Sequence, residues 1–138
     1  MHPDPRYSRL RALIVEDEAL VADELSERLS RLGFSVIGTA DSADQGIAMA
    51  TRERPDLILM DIRLIGKKDG VQAADEIRGL VDTSIVYLTA LSDSSTVERA
   101  KRTDHDGFLL KPFHRSDLQS TIDVAMLRRA ARARERGN

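Results

Sequence analysis

Asp61 closes the apolar run Leu57-Ile58-Leu59-Met60, and the acidic pair Glu16-Asp17 closes a second run, Leu13-Ile14-Val15. Runs this short, flanked by helical patterns, read as parallel strands covered on both faces. Each strand then delivers carboxylate at its carboxyl end, where ligands sit in an open α/β sheet. Three acids gathered there repel one another: two unit charges ~4 Å apart cost on the order of 4 kcal/mol at a protein-like dielectric. Such a site wants a cation. Glu16, Asp17 and Asp61 all offer hard oxygen, and no Cys or His clusters with them, so the chemistry points to magnesium.

The elements that must position these acids follow from periodicity. The first strand is predicted over Ala12 to Val15. Leu20, Val21, Leu25, Leu29 and Leu32 then recur at helical spacing, and Gly33 stands as a C-cap. Phe34 to Ala40 reads as the second strand, and Asp41 or Ser42 caps a second helix that must end before Pro55. Leu57 to Met60 is the third strand. A polar loop, Gly66-Lys67-Lys68-Asp69-Gly70, leads to a helix carrying Val71, Ala74 and Ile77. Ser84 to Leu88 and Gly107 to Leu110 are the last two strands, separated by a helix from Ser94 to Thr103. The final helix is predicted from Ser116 to Arg134. Regular alternation implies right-handed crossovers and one parallel sheet with helices on both faces. Five such units in this length predict the flavodoxin-like doubly wound (βα)5 fold, strand order 2-1-3-4-5, with its crevice between the first and third strands. That crevice is where the three acids converge.

Bulk properties set the outer limits. A chain of 138 residues, 41% hydrophobic and 32% charged, fits one domain with a substantial core. It is divided here into a loose N-terminal segment (1–9) kept extended by Pro3 and Pro5, the folded domain (10–127), and a basic C-terminal helix end (128–138). With no Cys, neither a disulfide framework nor a thiolate metal site is available, which suits a reducing cytoplasm. A net charge of -2 gives no overall attraction for nucleic acid. No apolar stretch approaches the ~20 residues of a membrane span. The first residues lack the apolar core of a signal peptide. The expectation is a soluble, cytoplasmic protein with no membrane partner.

Four elements now stand together: Val15-Glu16-Asp17, Met60-Asp61, Leu88-Thr89-Ala90 and Leu110-Lys111-Pro112-Phe113, each following a predicted strand. In this order and spacing the chain resembles the receiver domain of two-component response regulators over nearly its whole length, and the stand-alone type is expected. The resemblance implies that Asp61 is a phosphoacceptor attacking the phosphoryl group of a phosphohistidine. It implies that Asp17 and Asp61 hold magnesium through carboxylates, that Arg63 adds its backbone carbonyl, and that Glu16 acts largely through water. Lys111 would contact a phosphoryl oxygen as a point charge, and the Thr89 hydroxyl another. Phe108 matches the aromatic that follows Thr89 inward, and the Lys111-Pro112 bond is implied to be cis. The implied partners are a histidine kinase or histidine phosphotransfer protein and a downstream target. A homodimer through the face of the fourth helix, fifth strand and fifth helix is a further possibility.

Duller readings stand beside these. Glu16-Asp17 also suits a helix N-terminus, Thr89 suits any strand, Lys111 suits a solvated surface and Phe108 a plain core. The chain departs from the family pattern as well. Glu16 stands where Asp is commoner, and the loop from Asp61 to Gly70 has no Pro, is one residue longer and carries Lys67-Lys68. Those lysines read as a solvated loop, with phosphate attraction or partner choice as the alternative. The run from Arg128 to Arg136 reads as a solvated helix end, or as a docking surface for an acidic partner or a weak nucleic-acid contact. No helix-turn-helix pattern appears, so if this is the whole protein its output is expected through a partner protein. Two rival functions differ in class. A magnesium-dependent phosphoryl hydrolase needs a second acid two residues after its nucleophile, and Arg63 stands there. A phosphate-independent interaction or dimerisation module would not need Asp61, Thr89 and Lys111 together. The chain is therefore expected to be no enzyme toward external substrates.

Overall fold

The computed structural model describes residues 4–90, 94–102 and 105–137. Five strands, β1 (Arg11–Val15), β2 (Ser35–Ala40), β3 (Leu57–Asp61), β4 (Ser84–Ala90) and β5 (Gly107–Lys111), alternate with helices α1 (Ala19–Leu32), α2 (Ala43–Glu53), α3 (Gly70–Arg78), α4 (Ser94–Lys101) and α5 (Arg115–Gly137). All strand pairs are parallel, in the order β2-β1-β3-β4-β5. This is the flavodoxin-like architecture expected from the alternating pattern. No described helix is long and apolar enough to cross a membrane.

Strand residues alternate between two apolar layers because successive side chains point to opposite faces. Leu13, Val15, Ile58, Met60, Ile85 and Tyr87 pack with α2 and α3. Ala12, Ile14, Leu57, Leu59, Val86 and Leu88 pack instead with α1 and α5. Every residue of β3 is buried, which is why it reads as an unbroken apolar run. Full burial of each such Leu or Ile stabilises by roughly 1.5–3 kcal/mol.

The helix signals act where expected. Gly33 ends α1 at φ 116, its N–H donating to the Leu29 and Ser30 carbonyls. Ser42, rather than Asp41, caps α2, its hydroxyl accepting from Gln45 N–H. Asp69 and Gln72 form a reciprocal capping box at the start of α3. β4 runs two residues further than its apolar core implies, so Thr89 and Ala90 lie within the strand. The end predicted for the fourth helix, Thr103, falls outside the described residues.

Two expectations about the ends need correction. Residues 4–9 are not loose. Asp4 caps a 3-10 turn over Pro5–Tyr7, and the Tyr7 ring stacks on Phe34 at 4.8 Å while its hydroxyl donates to Asp123. Burial of Tyr7 recruits the segment to the core. The basic tail is not simply solvated either, and α5 runs without a break through residues 127 and 128. Arg129, Arg132 and Arg136 share one helix face. They reach Asp56 at 3.1 Å, Asp106 at 2.5 Å and Asp82 at 2.6 Å, acids standing just before β3, β5 and β4.

Gly70 is where the fold leaves least room. Its N–H donates to the Ile62 carbonyl at 2.8 Å, and a Cβ there would lie 2.0 Å from the Asp61 carbonyl oxygen. Gly79 is the natural control, with φ -73 and no atom nearer its Cβ position than 3.5 Å. In urea unfolding, Gly70→Ala should lose about 2–3 kcal/mol, the upper range for overpacking, whereas Gly79→Ala should change stability by no more than about 0.5 kcal/mol.

Candidate functional site

Register builds the site. β1 and β3 pair with Val15 opposite Met60, so the residues that follow, Glu16 and Asp61, leave the sheet side by side. β4 pairs with Asp61 opposite Leu88 and β5 with Lys111 opposite Ala90. Thr89 and Lys111 therefore arrive at the same edge. Glu16, Asp17 and Asp61 each offer a carboxylate oxygen within 4.8 Å of the others. The four strand-end elements singled out in the sequence thus meet around one place.

Lys111 threads into the acids. Its Nζ donates to Glu16 at 2.6 Å and to Asp61 at 3.1 Å, and Glu18 stands 4.0 Å away. The Glu16 side chain is fully buried and that of Asp61 nearly so. Burial, then the neighbouring Asp61, pushes the Glu16 carboxyl above the usual glutamate range, against the opposing pull of Lys111. For Lys111, burial favours the neutral amine, yet the Glu16 hydrogen bond and the Asp61 charge outweigh it and raise its pKa. The ammonium is locked on.

The other carboxylate positions are set by backbone. Arg63 N–H donates to Asp61 Oδ1 at 2.9 Å, and Ile65 N–H to Asp17 Oδ2 at 3.2 Å. Glu16 also accepts from Glu18 N–H at 3.1 Å, a cap-like bond at the start of α1. Asp17 is half-buried and faces a cavity of about 400 Å³ whose lining includes Glu18, Asp61, Arg63, Ala90 and Lys111. Thr89 is buried, its hydroxyl donating to the Ala90 carbonyl at 3.2 Å. Phe108 lies farther off, half-buried on β5 with its ring 5.5 Å from Tyr87 and 4.5 Å from His105. The Lys111-Pro112 bond is cis.

Some participants escaped the sequence reading. Glu18 looks like any first-turn acid, and only the reach of Lys111 recruits it. The Ile65 N–H has no sequence signature. Gly70 was legible as the end of a polar loop, but not as the residue on which the Asp61 carbonyl rests. The lysines of the loop divide: Lys68 pairs with Asp44 at 3.3 Å and Glu76 at 3.0 Å, toward α2 and α3, while Lys67 is exposed.

Comparison with known proteins agrees with this geometry. The family described as response regulator receiver domain matches residues 12–123. The transcriptional regulatory protein PdtaR of Mycobacterium tuberculosis is 39% identical over 118 residues, covering 86% of this chain and 57% of that protein. The probable transcriptional regulator ycf27 of Porphyridium aerugineum is 34% identical, covering 93% of this chain and 52% of its own length. The chain thus spans about half the length of the curated relatives it matches. Among solved structures, the signal receiver domain of a modulated diguanylate cyclase from Desulfovibrio desulfuricans is similar at TM-score 0.83 and 34% identity, covering 89% of this chain and 98% of that one. The N-terminal domain of a response regulator/sensory box/GGDEF protein from Carboxydothermus hydrogenoformans is similar at 0.81 and 29%, with the same coverage. Fold, converging acids and a match across most of the sequence agree: the chain belongs to the response regulator receiver domain family of two-component signalling.

Proposed function

We propose that this chain is a phosphoacceptor switch of a two-component phosphorelay, working in the cytoplasm. Asp61 takes a phosphoryl group from a phosphohistidine on a histidine kinase or histidine phosphotransfer protein. The observation that carries the reading is the Asp61 carboxylate itself, held by the Arg63 N–H and the Lys111 ammonium at the mouth of an acid-lined cavity. In the transfer, an Asp61 oxygen forms the new bond to phosphorus as the bond to the histidine nitrogen breaks, and that nitrogen keeps the electron pair. Lys111, 3.1 Å from Asp61 Oδ2, would contact a phosphoryl oxygen. The Thr89 hydroxyl, which now donates to a backbone carbonyl, would turn to a phosphoryl oxygen.

The donor set suits magnesium. Glu16, Asp17 and Asp61 are hard, anionic and close enough to share one ion. Asp17 and Asp61 would hold it directly, Arg63 through its backbone carbonyl and Glu16 through water. When bound, the ion supplies positive charge against the phosphoryl oxygens. The new phosphate acts as a local charge read out by a change in packing at Thr89 and Phe108, which alters the surface offered to a target protein or to a second copy through α4, β5 and α5. A phosphate-independent interaction module remains the contrasting outcome of the test.

Incubation with magnesium and acetyl phosphate should add one acid-stable, base-labile phosphate, seen as a single mass increment and absent in Asp61→Asn. Dimerisation without any increment would instead favour the interaction module, and turnover of an external phosphoester the hydrolase. Stability should also report the crowded acids. The folded protein keeps the Glu16 proton at pH values where the unfolded chain, with its ordinary value of 4.5, has lost it. The Glu16 contribution therefore falls as pH rises from 4.5 through the raised value. Without divalent ions, Glu16→Gln should melt above wild type at pH 7, and the gap should narrow toward pH 4.5 and on adding magnesium.

A further inference from the structure

α4 is the helix with the least apolar hold on the sheet. Of its described residues only Ala100 is buried, whereas α1 buries four residues and α3 five. One buried methyl, with Thr96 and Val97 half-buried beside it, is a weak apolar hold that a polar contact can supplement. Arg99 supplies such a contact. Its guanidinium crosses to α3 and donates to Asp69 Oδ2.

Asp69 is no ordinary surface acid. Its Oδ1 accepts from Gln72 N–H at 3.0 Å, and the Gln72 side chain accepts from Asp69 N–H at 2.9 Å. The next residue is Gly70, seated on the Asp61 carbonyl with no space even for a Cβ. Continuous contact therefore runs from Arg99 through the capping box to the backbone of Asp61. The same helix is joined through three residues, 91–93, to Thr89-Ala90 at the end of β4.

We infer that the Arg99–Asp69 ion pair is a tie that sets the resting position of α4 against the loop carrying Asp61. Arg99 is thus a positioning residue for the site. The tie stands on the contacts alone; its coupling to phosphate rests on the phosphoacceptor reading. If phosphate at Asp61 displaces α4, breaking the tie lowers the cost of that displacement and strengthens phosphate-mimic binding by the same factor, because coupling between sites is reciprocal. An exposed pair of this kind shifts a local equilibrium by about two- to fivefold.

Amide hydrogen exchange across residues 94–102 tests the tie in the unmodified protein. At low salt, Arg99→Gln and Asp69→Asn should each exchange about two- to fivefold faster than wild type. Asn keeps the oxygen that caps Gln72, so the second variant removes the charge and spares the cap. Arg99→Lys should stay near wild type. Sodium chloride at ~1 M, where screening acts within ~3 Å, should bring wild type to the Arg99→Gln rate and leave that variant unchanged. Equal exchange in all four proteins, or a salt response that survives in Arg99→Gln, overturns the tie. The second measurement is affinity for beryllium fluoride with magnesium, expected to be two- to fivefold tighter in Arg99→Gln. Equal affinity overturns the coupling. Binding by neither protein, with the exchange result intact, overturns the phosphoacceptor reading and leaves the tie as a restraint on α4.

Discussion

One ammonium between two buried carboxylates organises the carboxyl edge of this sheet. Lys111 contacts Glu16 and Asp61 while Asp17 stands beside them. Burying charge costs several kcal/mol per ion unless partners compensate, and here the compensation is incomplete: three acids face one lysine. Burial first, and the neighbouring Asp61 second, hold the Glu16 carboxyl above its usual range. Carboxylates crowded this closely are a setting that a divalent cation would relieve. The lysine thus offsets part of the charge that the buried acids bring together.

The rest of the architecture serves that convergence. Two apolar strands fix the register that sets Val15 against Met60, and a one-residue slip would turn the Glu16 and Asp61 side chains to the wrong faces. Gly70 keeps the following loop tight against the Asp61 backbone. At the opposite edge of the sheet, the arginines of α5 answer the acids that precede β3, β4 and β5. Charge is thus managed at both ends of the strands by different means. One end is neutralised by ion pairs to α5; the other gathers three acids around one lysine.

Local pattern made most of this legible. Short apolar runs with flanking helical periodicity gave the strands and their order, and strand-terminal acids pointed to the cluster that the structure brings together, because both signals lie within a few neighbouring residues. Partnerships across long sequence separations were not legible. Tyr7 stacks on Phe34 and bonds Asp123, so a segment that reads as loose from its prolines is anchored. Arg129, Arg132 and Arg136 find acids 73, 26 and 54 residues away, so a tail that reads as solvated is half-docked. The pairing of Arg99 with Asp69 likewise has no local signature. Periodicity reports which face is apolar; it is silent on which charge meets which.

The central claim is that Glu16, Asp17 and Asp61 form one divalent-cation site and that Lys111 is their companion, not a ligand. Calorimetric titration with magnesium tests it most directly. The account predicts one ion per wild-type chain, loss of binding in Asp17→Asn, and binding at least as tight as wild type in Lys111→Ala, because removing the ammonium frees the acids. No ion in the wild type, unchanged binding in Asp17→Asn, or abolished binding in Lys111→Ala would contradict it.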